Sequence, residues 1–468
     1  MHLLNASAGQ ILDGNEPVDL QQSPGDIVVL SAADTEIAAL ARARAQSSGP
    51  SLRLASLNHL GHHFSVDLYL ANTLAHARLI VLRLMGGASY WRYGLDEVVA
   101  LARGRGIKLA VIPGDHRPDP SLDGFSTLPA PSCNRLWAYL VEGGPGNMGG
   151  FLDYCAHLLE GAPEPPPARP LPMAGIYHPS GQKSDPAPLI RDNKSAPPVA
   201  AIVFYRALMQ AFDTAPVDAL MAALEKRGLE PLPIYISSLK DRTAAETVTT
   251  LFRQAKPDIV INCTGFAVSR PDGDWSGAVL DSAGAPVLQA IFAGINRQVW
   301  QQSGRGLGAR DIAMNIALPE IDGRILSRAV SFKSELRRDP EVEAGVVVHE
   351  PVPDRIDFTA ELAANWARLA RRPVAERRIA LILSNYPSSD GRLANGVGLD
   401  TPAAAIELLR AMAEAGYDTA GAPKSAAELM DLLRAGPTNA GLKGKTILET
   451  LDIDSYRRFF DELPEHIR

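Results

Sequence analysis

Cysteine is scarce. Cys133, Cys155 and Cys263 are the only three in 468 residues, and none is spaced as a CxxC pair. Neither a disulfide framework nor a cysteine zinc site is suggested, and buried thiols are the plain reading. Long apolar runs are missing too: no stretch is long enough to span a bilayer, and Met1-His2-Leu3-Leu4 carries no charged-then-apolar leader. The chain therefore reads as soluble and cytoplasmic, with no membrane span. There is no excess of positive charge, since 46 Lys and Arg face 53 Asp and Glu for a net charge of −7. That balance opposes non-specific nucleic-acid binding, which rests on neutralising phosphates. Any anionic ligand needs a local basic patch. No Gly-Lys-Ser/Thr phosphate loop occurs and no repeat of about 20 to 50 residues is visible, so a P-loop nucleotide site and a solenoid are both disfavoured.

The chain is long enough for several domains with well-buried cores, and 46% of its residues are hydrophobic against 21% charged. Apolar runs at residues 26–31, 52–57, 79–84 and 107–113 alternate with helical patterns at 35–45, 66–77 and 93–105. Strands of this kind between helices argue for a parallel sheet covered on both faces. The proline-rich stretch 162–172 can continue neither a helix nor a central strand, because proline lacks the donor and fixes its own φ. A boundary is expected there. A second α/β pattern follows, with successive segments at 199–205, 231–237, 258–265, where a strand ends in a turn that Gly265 permits, and 286–292, helical patterns at 217–227 and about 358–370, and a long loop around 317–324. The expected organisation is α/β: tandem doubly wound parallel-sheet domains with additional helices, divided as 1–161, 173–375 and 376–468, the last an incomplete third α/β domain.

That third segment opens with Leu381-Ile382-Leu383-Ser384-Asn385-Tyr386-Pro387 and a glycine-rich turn from Gly391 to Gly398. The pattern looks like strand, loop and helix start, where phosphates are often held. It lacks the third glycine of a dinucleotide fingerprint, however. Asp400 or Thr401 as N-cap, with Pro402 at the first helical position, explains it as ordinary helix initiation. Gly396 and Gly398 are expected to serve backbone shape rather than phosphate contact.

Candidate binding residues cluster where strands end, since open parallel sheets place ligands beyond their carboxyl edges. Asn262 and Thr264, and then Glu320 and Asp322, occupy such positions, although Asp322-Gly323 also reads as a plain turn. Arg297 and Arg324, with Arg305, Arg310 and Arg328, could fork onto ligand carboxylates. His62 and His63 are weak metal candidates, a polar loop being the favoured alternative. His116 beside Asp115 and His349 beside Glu350 read as surface loop residues.

Taken in order, His63–Tyr69, Arg83–Trp91, Asn262–Phe266, Ala317–Gly323 and Asn385–Pro402 resemble the CobN family, the large subunit of aerobic cobaltochelatase, related to the large subunit of magnesium chelatase. The resemblance covers nearly the whole chain and adds Asn385 and Tyr386 to the candidate substrate contacts. It implies insertion of Co2+, as substrate, into hydrogenobyrinic acid a,c-diamide, a step of cobalamin biosynthesis, with this subunit holding the corrinoid. It further implies ATP and Mg2+ on partner subunits, an AAA+ ATPase and its integrin-I-domain-like companion, with none bound tightly to this chain. Family large subunits are much longer, and their metal-handling His and Glu residues are expected after Arg468. The chain thus reads as an N-terminal portion that is inactive alone, with no catalytic residue assigned within it. The alternatives are a non-catalytic tetrapyrrole-binding or interaction module and, by fold analogy only, a sugar-nucleotide transferase of two α/β domains.

The missing phosphate loop makes one expectation direct. The isolated chain should hydrolyse no ATP in a coupled phosphate-release assay. Steady turnover abolished by mutating a residue of this chain would overturn that reading.

Overall fold

The computed structural model describes residues 17–179, 196–269, 278–385, 390–438, 441–447 and 450–468. By internal contacts the chain divides into two compact units, Met1–Arg368 and Leu369–Arg468.

The first unit contains two sheets. The first is built from β1 (Ile27–Ser31), β2 (Leu52–Ser56), β3 (Leu79–Leu84) and β4 (Lys108–Pro113), in the order β2-β1-β3-β4 and parallel throughout. Alternate residues point to opposite faces, and both faces are buried. Ile27, Val29, Leu79 and Val81 face α1 (Asp34–Arg44) and the later pair α4 (Ala130–Glu142) and α5 (Pro145–Glu160). Val28, Leu30, Ile80 and Leu82 face α2 (His63–Asn72) and α3 (Arg92–Arg105). Near-continuous apolar strands are what a sheet covered on both sides requires.

After α5, residues 161–172 run without regular structure into the second sheet. Its strands are β5 (Ala174–Ile176), β6 (Val199–Tyr205), β7 (Glu230–Ile236), β8 (Ile259–Asn262), β9 (Val287–Ala293), β10 (Ile325–Asp339) and β11 (Ala344–Pro351), in the order β11-β10-β9-β8-β6-β7-β5. The middle five are parallel, while β5 and β11 close the edges antiparallel. The helices here are α6 (Arg206–Gln210), α7 (Ala215–Glu225), α8 (Arg242–Ala255), α9 (Arg297–Gln302), α10 (Ala309–Ile312), α11 (Leu318–Ile321) and α12 (Pro353–Arg371). Ile202, Phe204, Ile259 and Ile261 pack with α7 and α12, and Val203, Ile234 and Val260 with α8. One expectation is corrected: 317–324 is not a long loop, because α10, a π-helical turn at Ala313–Ala317 and α11 run on from one another.

The sequence pattern gave no sign of the hairpin β10–β11. Its tip leaves the second sheet and enters the core of the first, where Val342, Ala344, Val346 and Val348 join the cluster of α1, α4 and α5. The Leu54 N–H donates to the Val342 carbonyl at 3.2 Å. Arg53 pairs with Glu343 at 3.1 Å, and Glu343 also accepts from the Ser23 hydroxyl at 2.6 Å. A second tie joins α6 to the carboxyl end of α4. Arg206 donates to Glu142 at 3.1 Å, and Gln210 donates to the Val141 carbonyl at 2.6 Å.

The second unit holds α13 (Thr401–Glu414), α14 (Ala426–Ala435) and α15 (Ile453–Asp461). Asp400 caps α13 by accepting the Ala403 N–H at 3.1 Å, with Pro402 in the first turn. That part of the motif is ordinary helix initiation. Gly398 has φ +74, a region costly for side-chained residues, whereas Gly396 is confined instead by Thr401 Oγ1, which would lie 2.6 Å from an added Cβ. The strand expected at 381–384 is not formed. Among the described residues this unit has only isolated bridges such as Asn385 to Leu393, so no neighbouring strand exists to pair with 381–384. Ile382 is 90% exposed and Val397 98%.

The hairpin tip supplies a stability test. Val342→Ala should lower the unfolding free energy of the chain by about 2 kcal/mol, through lost burial and the residual cavity. Chemical denaturation followed by circular dichroism measures it, and an unchanged midpoint would show that the tip contributes nothing to the first core.

Candidate functional site

In the first sheet the chain goes from β1 to β2 on one side and then to β3 on the other; in the second it goes from β6 to β7 and then to β8 on the far side. Each reversal leaves a crevice at the carboxyl edge, where doubly wound sheets bind ligands. Both crevices open on one cleft of about 560 Å³. Thr35, Glu36 and Arg83 line it from the first sheet, and Tyr205, Cys263 and Gly265 from the second. The volume lies within the range of small-molecule sites.

Its charged groups are mostly committed to the protein. Buried Arg83, at the end of β3, pairs through Nε with Glu36 at 2.6 Å, and Glu36 also accepts from Ser31 at 2.7 Å. Arg83 Nη2 donates to the Gly114 carbonyl at 3.2 Å, while Nη1 makes no hydrogen bond among the described residues. Arg206 is held by Glu142 and the Leu171 carbonyl, and burial lowers its pKa. Asp311 accepts the Gly294 N–H at 3.1 Å and the Asn315 amide at 3.2 Å; burial raises its pKa against those bonds.

The second-sheet wall is tightly shaped. Phe266 has φ +66, which is uncommon for an aromatic residue and marks local strain. Its N–H donates to the Met314 carbonyl at 2.7 Å in the π-helical turn. A Cβ on Gly265 would lie 2.9 Å from Asn315 Oδ1 and 3.0 Å from the Met314 carbonyl, so any side chain there is crowded by the π-helical turn. π-helical turns are often found at functional sites, and Met314 and Asn315 both line the cleft.

Lys333 and His349 face each other across β10 and β11 and both line the cleft. The expectation that His349 is a surface loop residue is wrong, for it is 4% exposed on a paired strand. Its ring nitrogen lies 3.5 Å from the Ser331 hydroxyl, and its N–H donates to both oxygens of buried Asp213 at 3.0 and 3.1 Å. Burial, reinforced by the Lys333 charge, pushes the imidazole pKa down to about 3. Burial raises the Asp213 pKa, opposed by the His349 N–H and by Arg42 and Lys333.

Of the residues singled out from sequence, Asp115, His116, Arg310 and His349 line the cleft, whereas Asn262, Thr264, Glu320, Asp322, Arg297 and Arg324 do not. Asn262 and Thr264 are buried behind the wall and bonded to one another and to Gln289: Asn262 Nδ2 donates to Gln289 Oε1 at 2.7 Å, and Thr264 Oγ1 to Asn262 Oδ1 at 2.8 Å. Asp322 and Arg324 form a buried pair at 2.9 Å. Burial works against the Asp322 carboxylate, but the Val268 and Ser269 N–H groups and Arg324 outweigh it and hold its pKa low. Glu320 and Arg297 are exposed on α11 and α9. Asn385 belongs to the second unit, its Oδ1 finding no partner among the described residues, and Tyr386 lies outside them. His62 caps α2 by accepting the Phe64 N–H, and His63 stacks on Tyr93 at 4.0 Å. No cluster of three or more His, Cys, Asp or Glu fit for a metal ion occurs among the described residues. Of the cleft residues that sequence reasoning passed over, Arg83 had one signal, a charge near the end of the otherwise apolar β3, whereas Lys333 lies within the polar β10 and had none.

A family model described as CobN/Magnesium Chelatase matches residues 137–468. The chain belongs to the CobN/magnesium chelatase family. The aerobic cobaltochelatase subunit CobN of a Sinorhizobium sp is 50% identical over all of this chain and 37% of that relative. The aerobic cobaltochelatase subunit CobN of Pseudomonas aeruginosa is 42% identical over all of this chain and 38% of the relative. Among solved structures, the catalytic subunit of cobaltochelatase from Mycobacterium tuberculosis matches with a TM-score of 0.68 and 27% identity, over 95% of this chain and 35% of that one. The chain spans little more than a third of the length of the curated relatives it matches. No helix among the described residues is long and apolar enough to cross a membrane.

In this CobN/magnesium chelatase family chain, the family match begins at Trp137 within α4 and takes in the whole second sheet. The cleft's own groups can hold an anionic ligand against apolar walls. Glu36 and Glu142 are tied to Arg83 and Arg206, while Asp311 is held by the Gly294 amide with its pKa raised by burial.

His349 generates a pH prediction. The unfolded imidazole titrates near its ordinary value of 6.5, and the folded one only near 3. Below pH 6.5 protons therefore favour the unfolded chain, so this contribution to stability is complete above 6.5 and is lost progressively toward 3, by up to about 1.4 kcal/mol per pH unit. Asp213 and Asp311, with raised values, act in the opposite sense, so the comparison must isolate His349. Thermal midpoints of the wild type should fall more steeply from pH 6.5 to 4.5 than those of His349→Gln. Parallel curves would show that the imidazole is not buried as described.

Proposed function

We propose that this chain forms the N-terminal part of the corrinoid-binding large subunit of an ATP-dependent aerobic cobaltochelatase, which inserts Co2+ into hydrogenobyrinic acid a,c-diamide in cobalamin biosynthesis. The observation that carries this reading is identity of 50% sustained over the whole chain with an aerobic cobaltochelatase subunit CobN. The cleft supports it: a body with apolar surface and acid side chains matches walls that carry both methionine and basic residues.

Insertion requires the macrocycle to be held, its ring N–H protons removed, and water stripped from the cobalt ion. This chain performs the holding. Asn262 and Thr264 brace the end of β8, and Asp322 with Arg324 fixes the loop beyond it, so the wall is rigid before a ligand arrives. Arg297, Glu320, Asn385 and Tyr386 remain candidate contacts for the peripheral carboxylates and amides. A proton acceptor and a metal-delivering group come from polypeptide beyond this chain. ATP and Mg2+ act on an AAA+ subunit and its integrin-I-domain-like companion in a cytoplasmic assembly.

The test is reconstitution. The chain is mixed with both ATPase subunits, Co2+, Mg2+-ATP and the a,c-diamide, and corrin absorption is followed over hours beside a full-length homologous large subunit. The diamide spectrum should shift on binding while no cobalt corrinoid forms. Cobalt insertion above background would place the active site inside these residues. A spectrum unmoved by the diamide, with binding of a nucleotide sugar instead, would favour a transferase.

A further inference from the structure

Lys333 is unusual among the cleft's cations. It is 6% exposed and lines the cleft, yet no carboxylate among the described residues lies within ion-pair distance of its ammonium. Arg83 and Arg206, by contrast, have Glu36 and Glu142. The two carboxylates that feel the Lys333 charge, Asp213 and Asp311, are turned to the backbone amides of His349 and Gly294. The group directly across the ladder is the His349 imidazole, which adds no negative charge. A buried ammonium without a hydrogen-bonded anion is costly, and its three donors need acceptors. Around it the cleft is lined by Leu140, Met148, Met173, Phe292 and Met314, soft apolar surface that adapts to a rigid body.

We infer that Lys333 is the anchor for one carboxylate of a ligand whose body is apolar and rigid, an acid side chain of the macrocycle, at the junction of β10 and β11. The inference deepens the proposed function and rests on its reading of the cleft as a corrinoid-acid site. It makes Lys333 a specificity determinant: the site favours a macrocycle with a free acid over one with every acid amidated, because only the acid completes the buried ion pair.

The test titrates the full 468-residue chain with hydrogenobyrinic acid a,c-diamide, and with the same macrocycle amidated at every carboxylate, reading Kd from corrin absorption. Lys333→Met should weaken binding of the acid about tenfold and leave the amidated form unchanged, while Lys333→Arg keeps most of the affinity. As a check that needs no variant, the bound acid should protect Lys333 of the wild type from reductive methylation, read by mass spectrometry. Wild type that binds acid and amidated forms equally, or Lys333→Met that binds the acid like wild type, overturns the anchor while leaving the corrinoid reading intact. Failure of the wild type to bind either macrocycle overturns both. Methylation of Lys333 unaffected by bound acid also overturns the anchor, whatever the fate of the variants.

Discussion

The tip of the β10–β11 hairpin is buried in the core on one face of the first sheet, and the geometry of the cleft follows from that burial. A sheet that lends a strand pair to its neighbour's core cannot rotate freely against it. Val342, Ala344, Val346 and Val348 are buried among residues of α1, α4 and α5, and Glu343 is clasped by Arg53 and Ser23. The tie of Arg206 to Glu142 and the Leu171 carbonyl constrains the opposite wall. Together these contacts hold both carboxyl edges on the same void, so the cleft is preformed and a ligand need not organise it.

The same hairpin places the least compensated charge. As the strands leave the second sheet, Lys333 and His349 become cross-strand partners at the cleft, backed by Ser331 and Asp213. Burial keeps the imidazole neutral, and the backbone amides occupy the nearby carboxylates. Structure and electrostatics are coupled here: the strand pair that joins the two sheets also carries the ammonium into a place where no carboxylate among the described residues pairs with it.

The second unit has a different character. Among the described residues, α13 and α14 share a small core of Ala405, Ile406 and Leu429, and apolar side chains such as Ile382, Val397 and Leu451 stand exposed. A core of that size contributes little by itself. The segment that resembles a phosphate cradle is a capped helix start, with Asp400, Pro402 and Gly398 each in a conventional backbone role.

Much of the first unit was legible in the sequence. Buried parallel strands must be apolar on both faces, and the runs at 26–31, 79–84 and 199–205 are β1, β3 and β6 to within a residue. The carboxyl end of β8 was expected to hold binding residues, but those chosen there, Asn262 and Thr264, are turned inward while Cys263 and Gly265 meet the cleft. Side chains alternate along a strand, and a one-residue difference in parity exchanges wall and lining. Arg83 was visible as a charge breaking an apolar strand and Lys333, on the polar β10, was not; whether each has a partner depends on Glu36, Asp213 and Asp311, which other elements supply. The hairpin was invisible for a related reason. Its tip is stabilised by residues 288 to 320 positions away, such as Arg53 and Ser23, and its own pattern of valines and charges specifies no destination. Local periodicity, being a property of neighbouring residues, determined the elements of this protein; the cleft, its polarity and the setting of Lys333, which has no ion pair among the described residues, were decided only by contacts between segments far apart in the chain.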